Sequence, residues 1–371
     1  MLALKCHELG VPVSVFSESA HDPAAQVVSN WVQGTFGSSP EEVKKLEDFL
    51  ASCSVATFES EFMNAELLLK LSKDTKVGVY PSPKLMGALQ DRLTQKMLLE
   101  RHGILTSRFH NVKDEASARV AFADLSGANS RTEKAGAVFK KRRGGYDGYG
   151  TFIVRSEREL EKFLPRLKED AAGGGDGFIA EAFIPFKREV ALMLARSRSS
   201  DIARFPFVET YQEDARCLWV KGPLKPNAKL ERMAGSLEKF LAEIDYVGVI
   251  GVELFETKDG YLVNELAPRV HNSGHYTLDA ADLDQFSAHI LAVIGAPLST
   301  PRLLSPGFAM MNLLGQSTRR PNWSVPKKVH LHWYGKSENR KGRKMGHYNV
   351  LASTPAKALA LAKKARSSFD V

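Results

Sequence analysis

The sequence predicts an α/β domain, then a larger α+β body, then a small β-rich piece that ends in a helix. Three observations predict it. Short apolar strands alternate with amphipathic helices up to about residue 80, strand-like runs crowd together between Ala137 and Leu266, and prolines and glycines punctuate the passages between these regions. With 371 residues, 43% of them hydrophobic, the chain can bury several cores, and we place the domains at 1–82, 83–302 and 303–371.

The elements follow in order. Residues 2–9 form an amphipathic helix stopped by Gly10, and residues 11–16 an apolar strand. A helix near 41–51, a strand at 55–58 and a helix at 65–71 continue the alternation, which implies a parallel sheet. A doubly wound domain normally opens on a strand and a glycine-rich turn, whereas here the helix comes first. Without that strand, residues 11–16 keep an unpaired edge, so we expect roughly a dozen further residues upstream to supply it. Beyond Pro81 and Pro83, residues 85–101 carry helical spacing in Leu89, Leu93 and Met97. Strands follow at 137–140, 151–154, 178–183 and 189–195, with a hairpin over 247–266 and few helices between them. Strands at 308–314 and 329–334, a basic glycine loop and a helix at 355–366 close the chain.

Composition excludes several classes. No run approaches the roughly 18 apolar residues of a membrane helix, and Lys5, His7 and Glu8 break the start at once. Cys6, Cys53 and Cys217 are odd in number and far apart, which suits a reduced cytoplasmic protein. The net charge of +8 is spread over clusters at 140–143, 336–344 and 363–366, with no aromatic nucleic-acid motif between them. Anionic substrates account for it instead, and neither nucleic acid nor membrane is an expected partner.

Three segments carry chemistry. Lys140, Lys141, Arg142 and Arg143 precede four glycines, Gly144, Gly145, Gly148 and Gly150, around Tyr146 and Asp147. Such a backbone folds tightly enough to offer its N–H groups to phosphate, unless it is merely a basic hairpin turn. In the hairpin, a three-residue turn at Lys258, Asp259 and Gly260 sets Glu253 opposite Glu265, with Cβ atoms about 5 Å apart. Two such carboxylates call for a cation, and Mg²⁺ with nucleotide phosphate fits, whereas a one-residue slip would send them to opposite faces. Directly after Glu265, Arg269, His271, Asn272, Ser273 and His275 crowd a loop suited to a small substrate. Glu181 and Glu189 flank a turn where ribose or an adenine amine could be met, and the loop with Lys336, Arg343 and Lys344 suits a phosphate monoester.

Taken in order, QDRLTQK from Gln90, GGYDG from Gly144, REV from Arg188, NELAPRVHNSGH from Asn264 and GRKMGH from Gly342 resemble the carboxyaminoimidazole ribonucleotide synthetase family (PurK) of ATP-grasp ligases. The resemblance implies a pre-ATP-grasp α/β domain, an ATP-grasp body and a small C-terminal domain, with a homodimer allowed. It implies that ATP is held by Arg92, Lys140, Gly145, Tyr146, Asp147, Gly148, Gly150, Glu181, Glu189, Gln212 and Asn264, and Mg²⁺ by Glu253 and Glu265. Bicarbonate and aminoimidazole ribonucleotide would meet Tyr146, Asp147, Arg269, His271, Asn272, Ser273, Lys336, Arg343 and Lys344. Of these, Tyr146, Asp147, Arg269, His271 and Lys336 would serve the chemistry itself. Two features depart from the family: no GGGQLGRM-like loop opens the chain, and Gln212 stands where histidine is common. The alternatives are another ATP-grasp ligase, a formate-using transformylase, or a nucleotide-binding module without catalysis.

Overall fold

The computed structural model describes residues 1–127, 136–145, 148–318 and 321–371. In the first unit, α1 (Leu2–Glu8) ends just before Gly10, which turns the chain at φ +67°. Strand β1 (Ser14–Ser17) pairs in parallel with β2 (Asn30–Gln33). Helix α2 (Pro40–Ala51) starts on Ser39, whose side chain accepts from the Glu42 N–H, with Pro40 in the first turn. Then come β3 (Val55–Thr57), α3 (Ala65–Thr75), capped by Asn64, and β4 (Gly78–Tyr80), which runs parallel to β3. The expected parallel pairing is present, but as two separate two-stranded sheets, β1 with β2 and β3 with β4. Leu46 and Leu50 of α2 bury against Leu68 and Leu71 of α3 beneath them.

The single helix expected over 85–101 is two, α4 (Pro83–Gln90) and α5 (Arg92–Arg101). Asp91 divides them: its backbone is extended and its carboxylate accepts from the Leu93 N–H, which makes it the cap of α5. Apolar residues keep helical spacing on both sides of the break, so periodicity alone runs straight through it. A small sheet follows, ordered β5 (Phe109–Val112), β8 (Phe178–Ala182), β6 (Ala137–Lys141), β7 (Thr151–Val154). Helices α6 (Glu115–Gly127) and α7 (Glu157–Ala172) pack on it around Phe139, Phe163 and Phe178.

The nine-stranded sheet takes β9 (Arg188–Arg196), β10 (Ile202–Arg204), β11 (Val208–Glu213), β12 (Arg216–Gly222), β13 (Gly248–Glu256) and β14 (Tyr261–Ala267). Between β12 and β13 lies α8 (Ala228–Glu243). Along β9, Val190, Leu192 and Leu194 face α8 through Leu230, Leu237 and Phe240. The alternate residues Met193 and Ala195 pack toward Phe286 and Ile290 of α10 (Gln285–Ile294), which follows the short α9 (Thr277–Ala280). This period of two leaves the sheet covered on both faces.

The sheet does not stop at residue 302. β12 pairs with β15 (Gly307–Leu314), and the order continues through β18 (Lys344–Ala352) to β17 (Val329–Trp333). Two short strands, β16 (Asn322–Trp323) and β19 (Phe369–Asp370), pair beside it, and α11 (Pro355–Ala365) covers the face that holds Leu313, Tyr348 and Val350. No described helix is long and apolar enough to cross a membrane.

Candidate active site

The two sheets and the first unit enclose one cavity of about 1760 Å³, and most of the residues singled out in the sequence reach its wall. Lys140 stands at the end of β6, which β8 holds in register through the Lys140 to Ile179 pair. Its Nζ donates to Asn264 Oδ1 at 3.1 Å and lies 3.0 Å from Glu181 Oε1. On the other side of Glu181, Lys96 Nζ approaches Oε2 at 3.0 Å and donates to Thr106 and Ser107. Burial alone would raise the Glu181 carboxyl, but Lys140 and Lys96 outweigh it and hold the group down at about 2. Burial acts the same way on Glu189, and there it prevails, leaving that carboxyl raised although Gln212 hydrogen-bonds to it.

Glu253 on β13 does face Glu265 on β14, but the turn that links them is not the expected one. Glu256 pairs with Tyr261, so the loop has four residues, closed by the Thr257 N–H on Gly260 O at 2.8 Å. The register then shifts between Glu253 and Leu254, where Asn264 is the extra residue of a bulge. That bulge restores the opposition of the two carboxylates. It also turns Asn264 toward the same side, where its Nδ2 lies 3.4 Å from Glu253 Oε2.

Glu253 is pushed up to about 7, chiefly by burial and then by the charges of Glu265 and Glu189. Such a pair gains from a hard cation between its oxygens, and the residues present fit Mg²⁺ in that respect. Among the described residues no third Asp, Glu, His or Cys completes a metal cluster. Phosphate oxygens and water would therefore supply the rest of the shell.

Arg92 links this pair to the glycine loop. Its Nη2 donates to both Glu265 oxygens, at 3.1 and 3.3 Å, and to Gly145 O at 3.3 Å, while Nη1 donates to Lys141 O at 3.1 Å. A Cβ at 145 would lie 2.6 Å from Arg92 Nη1 and 3.0 Å from Tyr149 O, so a larger residue would displace the Arg92 guanidinium. Gly148 and Gly150 take φ +78° and +79°, and a Cβ on Gly148 would lie 2.3 Å from the Ala215 Cβ, so the loop rests on the turn between β11 and β12. Arg142 anchors its base through an ion pair with buried Asp91. Tyr146 and Asp147 lie outside the described residues.

Beyond β14, Arg269 pairs with Glu61, its Nη2 donating to Oε1 at 2.8 Å, which ties the loop after β14 to the first unit. His271 Nδ1 lies 2.8 Å from Ser273 Oγ and 3.4 Å from the Ser273 backbone nitrogen, while Nε2 points toward Glu253 Oε1 at 3.7 Å. Burial, with Arg269 and Lys344 nearby, holds the ring neutral. Asn272 is on the wall, yet its amide is taken up in a reciprocal pair with Asn312, at 2.8 and 2.7 Å. Lys336 and Lys344 line the cavity, with Lys336 Nζ donating to Lys344 O at 2.8 Å. Arg343 turns away from it and donates to Glu338 O at 3.0 Å.

Sequence reading passed over Glu61 and Lys96. Glu61 follows the carboxyl end of a parallel strand, the usual place for ligand contacts in an open α/β sheet, and Lys96 sits one helical turn after Arg92 on the same face.

Residues 97–286 match the ATP-grasp domain, residues 309–361 the phosphoribosylaminoimidazole carboxylase C-terminal domain, and residues 1–90 the ribonucleotide synthetase preATP-grasp domain. The N5-carboxyaminoimidazole ribonucleotide synthase of Synechococcus elongatus is 37% identical over 360 residues, covering 94% of this chain and 86% of its own. The chain belongs to this ATP-grasp family. It is thus an ATP-dependent ligase. The Bacillus subtilis N5-carboxyaminoimidazole ribonucleotide synthase is 32% identical over 355 residues, covering 95% and 88%. Among solved structures, the Staphylococcus aureus N5-carboxyaminoimidazole synthetase complexed with ADP superposes with a TM-score of 0.84 at 29% identity, over 98% of this chain and 93% of that one. The Aspergillus clavatus N5-carboxyaminoimidazole synthase in complex with ADP and 5-aminoimidazole ribonucleotide gives 0.84 at 25% identity, over 99% and 94%.

Proposed function

We propose a division of labour in this cavity for the family reaction, the ATP-dependent carboxylation of 5-aminoimidazole ribonucleotide in purine biosynthesis. ATP enters between the sheets, its base against the apolar wall of Val138, Ile153 and Phe186 and its hydroxyls near Glu181 and Glu189. Lys140, Arg92 and the glycine loop from Gly145 to Gly150, with Tyr146 and Asp147 at its tip, take the phosphates. Mg²⁺ on Glu253 and Glu265 would spread the charge of the migrating phosphoryl group.

The γ-phosphoryl passes to an oxygen of bicarbonate, giving carboxyphosphate and ADP. The amine of the ribonucleotide then takes the carboxyl carbon, directly or as carbon dioxide, and phosphate leaves with its bonding electrons. Arg269 and neutral His271 face the bicarbonate, while Lys336 and Lys344 receive the ribonucleotide phosphate, with Arg343 behind them. Ser273 orients the His271 ring, and Asn272 and Gln212 complete the polar lining.

One observation carries the reading: the opposed Glu253 and Glu265, Arg92 and Lys140 converge on a single wall, with Lys336 and Lys344 on the same cavity. The domain limits 1–82, 83–302 and 303–371 belong to the same proposal. A reduced cytoplasmic setting is supported by Cys6, Cys53 and Cys217, which form no disulfide among the described residues. For the homodimer, Leu4, Leu9 and Ile294 offer exposed apolar side chains on and beside the adjoining helices α1 and α10. The test is ATP turnover in the presence of Mg²⁺. It should require bicarbonate and run fastest with 5-aminoimidazole ribonucleotide, and turnover on formate without bicarbonate overturns the assignment.

A further inference from the structure

The segment that carries Glu265, Arg269 and His271 is gripped at both ends by a buried glutamine. At one end, Gln95 of α5 treats Leu266 as a neighbouring strand would. Its Oε1 accepts from the Leu266 N–H at 2.8 Å and its Nε2 donates to Leu266 O at 2.9 Å. β14 is the last strand of the sheet, so a side chain supplies there the two-way bond that a further strand would otherwise make. At the other end, Gln285 of α10 does the same to His271, accepting from its N–H at 2.9 Å and donating to its carbonyl at 2.8 Å.

Both amides are fully used. The second Nε2 hydrogen of Gln95 goes to Leu89 O at 2.8 Å, and that of Gln285 to His275 Nδ1 at 2.8 Å. Their exposures are 2% and 0%. Burying an amide costs free energy that an apolar side chain of the same size would not, so bulk stability does not explain two of them. A saturated buried amide instead specifies one geometry, because reversing it sets donor against donor.

We propose that Gln95 and Gln285 are positioning residues, which fix the peptide planes at Leu266 and His271 and so aim Glu265 at one end and the His271 ring at the other. The proposal rests on the assignment of Glu265 to Mg²⁺ and of His271 to the carboxylation site. Neither glutamine touches the reacting atoms, and each acts through the backbone it holds. The two clamps therefore separate by function: Gln95 governs metal binding, and Gln285 governs the substrate side.

The test is a pair of near-isosteric variants, Gln95→Met and Gln285→Met, in the full chain, with folding followed by thermal melting. Gln95→Met should raise the Mg²⁺ concentration for half-maximal rate roughly tenfold, with the ribonucleotide KM unchanged. Gln285→Met should raise the ribonucleotide KM by roughly the same factor and leave the Mg²⁺ requirement alone. If both variants merely lose rate with both constants unmoved, or both shift the two constants together, the residues are structural and the proposal is wrong. Should a variant fail to fold, hydrogen exchange on the wild-type chain decides. The Leu266 and His271 amides should exchange on the order of 100-fold slower than unbonded loop amides, and exchange at loop rates overturns the proposal. Failure of the underlying assignment reads differently: Glu265→Gln and His271→Ala would then leave the same two constants unmoved, and the proposal falls with it.

Discussion

Glu253 and Glu265 stand opposite each other on β13 and β14 because Asn264 bulges out of the ladder, not because of the hairpin turn. The bulge also brings Asn264 beside Lys140, so the carboxylate pair and this contact both follow from one extra residue. Deleting Asn264 would remove the bulge and its contacts with Lys140 and Glu253, while Glu265, then next after Val263, would stay opposite Glu253 in a regular ladder.

Glu265→Gln keeps the side chain's shape and removes one of the two charges that a divalent cation needs. Turnover should fall by a factor of roughly 1000 or more, while the melting temperature stays close to that of the wild type. Arg92 then loses its ionic partner, which contributes little at this partly exposed position. Steady-state assay beside a melting curve checks it, and wild-type activity in the variant removes the metal assignment.

The raised carboxyl of Glu253 makes a pH prediction with a definite sign. Its folded value of about 7 lies above the ordinary carboxylate value of 4.5, so between those limits the folded chain holds the proton more tightly than the unfolded chain. Stability therefore falls as pH rises from 4.5 toward 7, by on the order of 1–3 kcal/mol, and the deficit persists above 7. Glu253→Gln should match the wild type at pH 5 and melt higher than it at pH 8, when no metal is added. Mg²⁺ with ATP should close that gap by stabilising the wild type alone.

Much of this site was legible because its chemistry is written in contiguous strings. The glycine loop after Lys140 and the run from Asn264 to His275 stand out by residue type alone, and most of their described residues line the cavity. What periodicity could not show was breakage within a pattern. Apolar spacing continues across Asp91 although the helix does not, and Asn264 joins its strand without disturbing the alternation enough to be noticed. Helix α8 carries helical spacing in Leu230, Ala234, Leu237 and Leu241 that the reading above passes over, and α7 forms although Pro165 lies inside it. Long-range pairs lay beyond reach altogether. Nothing near Glu61 announces Arg269, more than two hundred positions away, and nothing near Asn272 announces Asn312.

Lys96 illustrates such a pair energetically. Its ammonium is 1% exposed and sits against Glu181, Thr106 and Ser107. Lys96→Met removes the charge and leaves Glu181 with Lys140 alone, which should destabilise the fold by about 3 kcal/mol. Glu181 is held low in the folded chain, so the stability it contributes is present above its ordinary value of 4.5 and is lost as pH falls toward 2. The variant should show a weaker acid transition than the wild type in denaturant titrations between pH 2 and 5. An unchanged acid limb would mean that Lys140 alone sets the Glu181 carboxyl.

Gly148 and Gly174 offer a matched comparison, since both hold a left-handed backbone, at φ +78° and +71°, in glycine-rich loops. Alanine at either position meets the same backbone penalty, about 1 kcal/mol. Their surroundings differ. A Cβ at 148 would lie 2.3 Å from the Ala215 Cβ on the β11–β12 turn, while at 174 nothing lies within 4 Å. Ala215 is itself held at φ +58° in that turn, so it has little freedom to retreat. Gly148→Ala must therefore push the glycine loop off the β11–β12 turn, and with it the N–H groups offered to phosphate. The KM for ATP should rise roughly tenfold or more and kcat should fall with it, because the loop would no longer shield the labile intermediate from water. Gly174→Ala should show the small loss of stability and neither kinetic effect. Equal kinetics in the two variants would mean that the contact with Ala215 is not needed for the loop to close, and that the glycine at 148 serves only its backbone angle.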